Sequence, residues 1–315
     1  MNILIAGGAG FIGSHITEAL LKYGHEVVII DGMLGETSGS LDNLSHIHGF
    51  ALISENIESC QSLAIELDKA EVVIDCMGWT RHLLALENPE YDLKLNISSH
   101  LALIRELRKS SCKRVIYLGS RGQIGNAAVD VIDDDAPRVP MDVQGIHKTA
   151  AESHYRLFAK LHDAKKVLSL IIGNTFGPRM PMQGSDIGLV GGFLRDVLAD
   201  REIELYGKGR SREFTYAPDL AEIISRLCNQ DWDGFQSLNI PGSTMALEQL
   251  VQTMIELAGT GRYSIEDWPA EVKAIDIGAA KLCSRKIESW LGALPATSLR
   301  DALQQTIQTI QSKHS

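Results

Sequence analysis

The chain has 315 residues, 44% of them hydrophobic and 22% charged, which allows one large or two modest cores and does not fit a disordered protein. Its formal charge of −10 argues against nucleic acid, although a local cluster of N–H groups and arginines can still hold a phosphate. Five scattered cysteines without C-x-x-C spacing (Cys60, Cys76, Cys112, Cys228 and Cys283) speak against a disulfide scaffold or a metal site. The start, Met1-Asn2-Ile3-Leu4-Ile5-Ala6, has no signal-peptide pattern, and no stretch approaches the roughly 18 apolar residues of a membrane span. A cytoplasmic protein is expected.

In chain order, Ile3–Ala6 reads as a strand, Phe11–Tyr23 as a helix closed by Gly24, and Val27–Asp31 as a second strand. Ala51–Ser54, Val72–Cys76, Arg114–Leu118 and Val167–Ile172 continue the strands. Helices are expected near Glu58–Leu67, Tyr91–Lys109 and Gln144–Leu161. This alternation predicts an α/β fold, a doubly wound parallel sheet with helices on both faces. After Ile172 the rhythm loosens around Gly177-Pro178-Arg179 and Gly207-Lys208-Gly209, with helices at Leu189–Asp200 and Leu247–Ala258. The expected division is a nucleotide-binding domain over 1–173 and a smaller C-terminal substrate-capping lobe over 174–315, parts of which return to the first domain. Asp133-Asp134-Asp135 reads as a solvated loop.

Gly7-Gly8-Ala9-Gly10-Phe11-Ile12-Gly13 follows the first strand directly and opens the first helix. In that context Gly7 permits the turn, Gly10 lets the backbone approach a pyrophosphate, and Gly13 allows close helix–strand packing. The helix start at Phe11 and Ile12 then offers N–H groups to the anion. Asp31, ending the second strand, can bind both hydroxyls of an adenosine ribose and would repel a 2′-phosphate. NAD is therefore expected rather than NADP.

The G-x-x-G-x-x-G spacing resembles the extended short-chain dehydrogenase/reductases, the family of UDP-galactose 4-epimerase and the nucleotide-sugar dehydratases. The resemblance runs nearly end to end. Glu55-Asn56-Ile57 looks like the family's adenine-side pair, with Asn56 in place of Asp. Met77 and Gly78 sit at its small-residue turn under the cofactor, and Asn96 matches its helix asparagine. Asn174-Thr175-Phe176-Gly177-Pro178-Arg179 is similar to N-x-Y-G-P-R. Arg212-Glu213-Phe214-Thr215-Tyr216 resembles R-D-F-x-Y, and Leu291-Gly292 with Pro295 and Ser298-Leu299 resembles the family's ending. The resemblance implies a Rossmann-type fold, bound NAD, a nucleotide-activated sugar as substrate and a homodimer formed through the helices near 91–109 and 144–161.

The resemblance also implies a Ser/Thr, a Tyr and a Lys that share the proton work. Ser120 and Lys148 fall at the matching positions, with Lys148 beneath the nicotinamide ribose; the Tyr position holds Gln144. An amide cannot titrate, and a positioned general base is worth about 10²–10⁴ in rate. His147 shares a helix face with Gln144 and Lys148 and is the candidate replacement, the alternative being a flanking polar residue. Arg121-Gly122 follows Ser120 where the family's 4,6-dehydratases carry Asp-Glu and its UDP-glucuronate decarboxylases carry a Glu, which disfavours both chemistries. Arg121 is read as a contact to the substrate or as a surface arginine. Arg212 and Asn174 are expected at the sugar-nucleotide diphosphate, with Arg179 also on the substrate side; loop capping is the alternative for Asn174. The expected activity is an NAD-dependent nucleotide-sugar epimerase acting at C4. A 4-ketoreductase or a non-catalytic binding protein are the alternatives.

Overall fold

The computed structural model describes residues 1–183, 187–269, 273 and 276–312. Seven strands form one sheet, all parallel: β1 (Asn2–Ala6), β2 (Glu26–Ile30), β3 (Phe50–Ile53), β4 (Val72–Asp75), β5 (Arg114–Leu118), β7 (Lys166–Ile171) and β11 (Phe235–Asn239). Their spatial order is β11-β7-β5-β4-β1-β2-β3, so the order reverses between β1 and β4. Helices on both faces leave the central strands no wet side, so they are apolar almost without alternation. Ile3, Leu4, Ile5, Val72, Val73 and Ile74 are all essentially inaccessible.

One face carries α1 (Phe11–Lys22) and α8 (Ala217–Leu227), which pack Ile16, Leu20, Leu220 and Ile224 onto the sheet. The other carries α2 (Leu63–Lys69), α5 (Ser99–Leu107) and α6 (Val143–Leu161), with Leu67, Leu103, Leu107, Tyr155 and Phe158 inside. Burying each such side chain stabilises the fold by about 1.5–3 kcal/mol. β11 and α8 lie well past residue 173 yet belong to this layered unit.

The remaining lobe holds a small sheet of β8 (Asn174–Phe176), β10 (Ser211–Tyr216) and β12 (Ser243–Ala246), with β10 parallel to β8 and antiparallel to β12. A separate pair joins β9 (Glu202–Tyr206) to β13 (Arg262–Glu266). Helices α7 (Leu189–Leu198), α9 (Leu247–Ala258) and the C-terminal α11 (Leu299–Ser312) close a second core around Phe176, Phe214, Met254 and Leu303. A further pair, β6 (Val131–Ile132) with β14 (Lys281–Leu282), and α10 (Arg285–Leu291) complete the order.

Three elements differ from expectation. The helix expected from Glu58 starts at Leu63 because Asn56 Oδ1 accepts the Glu58 N–H at 3.1 Å, holding a turn instead. The helix expected over 91–109 runs without a gap from Pro89 to Leu107, but as α4 (Pro89–Leu93), a π-helical turn over Lys94–Ser98, and α5; a separate short helix, α3 (His82–Glu87), precedes it. In the acidic run only Asp133 and Asp135 are exposed; Asp134 is buried and accepts the Asn239 N–H at 2.6 Å. Among the described residues, no helix is long and apolar enough to cross a membrane.

Candidate active site

The switch point between β1 and β4 opens a groove at the carboxyl ends of the strands, the place where open α/β sheets bind ligands. Gly7, Gly10, Asp31, Asn56, Ile57 and Met77 line it. The backbone there tolerates no side chain at Gly13, where a Cβ would stand 2.2 Å from the Gly7 carbonyl oxygen. Gly10 begins α1 without a side-chain cap, and the first N–H groups of a helix have no intrahelical acceptors. Ser38 Oγ accepts that of Phe11 at 3.2 Å.

Asp31 is held from both sides. Its Oδ2 accepts the Ala9 N–H at 2.9 Å and its Oδ1 the Met33 N–H at 2.8 Å. Burial pushes its carboxyl pKa up, against the pull of those two bonds. Each oxygen keeps a lone pair for a further donor, so the arrangement suits a pair of ribose hydroxyls. Ser38 and Asn43 escaped the sequence reading: Asn43 Nδ2 donates to the Ala9 and Ser38 carbonyls, both at 2.9 Å, and folds the loop against the glycine turn.

Lys148, on α6, is buried next to the same groove. Its Nζ donates to the carbonyls of Met77 at 3.1 Å and Leu118 at 3.2 Å. A Cβ on Gly78 would lie 2.8 Å from this ammonium, so only glycine permits the close crossing. Burial lowers the Lys148 pKa, opposed by Asp75 and then Asp92. Asp75 was not anticipated. It is inaccessible at the end of β4 and accepts from Tyr155 Oη at 2.5 Å and the Met77 N–H at 3.1 Å, with His100 Nδ1 at 2.6 Å. A lone Asp ending an apolar strand was the available signal.

Gln144, one turn before Lys148, is also buried; its Nε2 donates to the Trp79 carbonyl at 2.7 Å. Asn96, in the π-turn, donates to the same carbonyl at 3.0 Å and accepts the Trp79 N–H at 3.1 Å. His147 Nδ1 lies 2.5 Å from Asp92 Oδ1. Ser120 caps the 3₁₀ turn Arg121–Gln123: its Oγ accepts the Gly122 N–H at 3.1 Å, leaving the hydroxyl proton free to donate.

On the lobe side, Arg212 is bonded to Asp276, and Arg210 reaches the same carboxylate at 3.0 Å while stacking on Trp268. Asn174 Nδ2 donates to the Glu213 carbonyl at 3.1 Å. Arg121 is buried and spans the Gly125 carbonyl at 2.6 Å and the Ile277 carbonyl at 3.0 Å, so it is not a surface arginine. Arg179 turns to α1, where its guanidinium meets His15 and His46, each at 2.5 Å, and Glu18 at 2.9 Å. That cluster lines a separate groove between α1, α8 and α11.

The uncapped start of α1 and the Asp31 carboxylate share one groove, with the buried Lys148 next to it. Such a groove defines a dinucleotide-dependent enzyme of the extended short-chain dehydrogenase/reductase class. The chain belongs to the NAD dependent epimerase/dehydratase family, whose model matches residues 3–240. It is 22% identical to UDP-glucose 4-epimerase of Mycolicibacterium smegmatis, over 99% of both chains. It is 28% identical to UDP-glucuronic acid decarboxylase 1 of Xenopus tropicalis, over 97% of this chain and 71% of that one. The crystal structure of Thermotoga maritima UDP-glucose 4-epimerase with UDP-glucose superposes with a TM-score of 0.88 at 25% identity, covering both chains completely.

Proposed function

We propose that the chain is an NAD-dependent nucleotide-sugar epimerase that oxidises and re-reduces one sugar carbon, C4. The observation that carries this reading is Lys148, buried under the Gly78 turn beside the dinucleotide groove. The groove fits the cofactor: Gly13 leaves room for a pyrophosphate turn, and Asp31 has lone pairs to spare for the ribose. Asn56, Ile57 and Met77 line the adenosine half, and Asn96 fixes the turn at Trp79. NAD bound there supplies a reversible hydride acceptor.

The chain's own residues do the rest. Lys148 holds the ribose end and keeps the site positive. Ser120 donates its hydroxyl proton to the sugar oxygen. Gln144, its Nε2 committed to Trp79, offers Oε1 to a sugar hydroxyl or a water. His147 takes the proton that an amide cannot. Arg212 and Asn174 hold the diphosphate, with Arg121 behind them; Arg179 serves the lobe through α1 rather than through the sugar. A guanidinium suits phosphate oxygens because its fork matches them.

The chain works as a homodimer. Leu93 and Leu101 on the α4–α5 side, and Ile146, Leu157 and Leu161 on α6, form an exposed apolar surface on neighbouring helices. Sedimentation of the purified protein tests this. Five unpaired cysteines support a reducing, cytoplasmic setting.

Gln144 favours one other reading, a protein that binds NAD and nucleotide sugar without turnover. Incubation with UDP-, dTDP-, GDP- and CDP-sugars, followed by thermal shift and product analysis, separates the two. An epimerised product supports the enzyme; stabilisation without any product supports the binding protein.

A further inference from the structure

We infer that Asp92 is the positioning residue that makes His147 a base; this rests on the proposed relay through His147. Asp92 is the penultimate residue of α4, the short helix that starts at Pro89 and runs directly into the π-turn. A π-turn carries one more residue per turn than the α-helix and is frequent at functional sites. Here Asn96, inside that turn, ties Asp92 to the backbone of Trp79.

The carboxylate has two assigned oxygens. Oδ2 accepts from Asn96 Nδ2 at 2.9 Å, and Oδ1 faces His147 Nδ1 at 2.5 Å. Asn96 cannot turn away, because its amide also pairs with the N–H and the carbonyl of Trp79. Asp92 is inaccessible and the His147 side chain only 13% exposed, so this contact is shielded from solvent. An ionised carboxylate only accepts hydrogen bonds. Nδ1 of His147 therefore carries the proton, and the lone pair of the neutral ring is on Nε2. That tautomer is required to receive a proton, and an aspartate behind a histidine fixes it in hydrolytic triads.

The proton step balances without further reactants. The O–H bond of the sugar hydroxyl breaks, directly or through the Ser120 hydroxyl, and an N–H bond forms at His147 Nε2. The electron pair stays on the sugar oxygen, and the imidazolium charge is held against the Asp92 carboxylate. Return of the proton to the same oxygen resets the pair.

Other ionisable groups near this corner are few among the described residues. Lys148 follows His147 on α6 and feels both Asp75 and Asp92. His82 of α3 pairs with Asp142, the N-cap of α6, at 2.5 Å. Glu90 and Lys94, which flank Asp92, are exposed.

Asp92→Asn is the decisive variant. Its one side-chain oxygen is claimed by Asn96, so its amide donates to His147 Nδ1 and moves the ring proton to Nε2. Two measurements on the full-length protein follow, with NAD and the UDP-glucose/UDP-galactose pair as probes. The first needs no turnover: nitrogen NMR of the imidazoles should show His147 in the Nδ1–H form in the natural protein and in the Nε2–H form in Asp92→Asn. The second is kinetic. Asp92→Asn should lower kcat about 10²-fold or more with KM and NAD binding unchanged, and Asp92→Glu should recover part of that loss. An Nε2–H ring in the natural protein overturns the inference whether or not any variant folds. If His147→Ala is slow while Asp92→Asn keeps its rate and its Nδ1–H ring, Asp92 has no such role and the relay stands. If His147→Ala is as fast as the natural protein, the relay itself falls.

Discussion

The Gln144 side chain donates to the Trp79 backbone carbonyl at 2.7 Å, which fixes how its amide faces the site. A carbonyl accepts only, so the NH₂ end must point at Trp79 and Oε1 is the end left for a ligand. On the proposed reading Gln144 orients the ligand, since its amide has no proton to exchange. Gln144→Leu should cost about 1 kcal/mol in stability, since Asn96 still serves the Trp79 carbonyl. Turnover should fall about tenfold and not vanish. Complete loss of activity with an unchanged melting temperature would mean that the amide does more than orient. Gln144→Tyr is the complementary variant: turnover by it alone, with none in the natural protein, would favour the binding-protein reading.

The sheet and the cofactor groove were legible because their signals are local. A glycine turn between an apolar strand and a helix needs only Gly7 to Gly13, and Asp31 is one strand away. Six expected strands occur where they were read, and the helix expected over Leu247–Ala258 has those bounds. The surroundings of Gln144 and His147 were only half legible, since their partners meet them through tertiary contacts. Asp92 and His147 are 55 residues apart, and Asp92 is also held by Asn96 of the π-turn, which no periodicity announces. Likewise Asp276 reaches Arg212 across 64 residues from a segment with no regular pattern. Arg179 had the motif of a ligand contact, but backbone geometry turned it: its φ of 67° sends the side chain toward α1.

NAD should bind more tightly than NADP. The Asp31 carboxylate is fixed by the Ala9 and Met33 amides and cannot swing aside for a 2′-phosphate. Two such charges about 4 Å apart repel by about 1–4 kcal/mol, depending on solvent access. Asp31→Asn removes the charge and keeps the shape, so calorimetry should show the preference for NAD shrinking about tenfold. Equal affinities in the natural protein would refute the assignment of Asp31.

Arg212→Ala should weaken nucleotide-sugar binding while leaving NAD affinity unchanged. The guanidinium is held by Asp276, and a diphosphate has to displace that carboxylate. Part of the gain on binding is therefore offset, and the loss should fall near 2 kcal/mol, the low end for a desolvated charge pair. Asp276→Asn should act oppositely and tighten binding, because it frees both Arg212 and Arg210. Equal loss of NAD affinity in Arg212→Ala would remove this residue from the diphosphate.

The fold itself should respond to acid through the α1 cluster. His15 is buried against Arg179, with its Nε2 at 2.7 Å from the Pro178 carbonyl. Burial, followed by the Arg179 charge, pushes its pKa down from 6.5 to about 4. A histidine depressed in this way binds fewer protons folded than unfolded between those two values. Its stabilising contribution is complete above pH 6.5, declines as pH falls toward 4, and is gone below that. The size is on the order of 3 kcal/mol. Glu18 continues the trend: burial raises its pKa, but the bonds to Lys22 and Arg179 outweigh it and hold the carboxyl at about 2 instead of 4.5. Its contribution is present above pH 4.5 and is lost between 4.5 and 2. Urea unfolding from pH 8 to pH 4 should therefore show stability falling mainly below 6.5. His15→Gln should flatten that upper window, because the amide keeps a donor for Pro178 and an acceptor for Arg179 but does not titrate. A variant with the same slope as the natural protein between pH 6.5 and 4 would show that some other group titrates there.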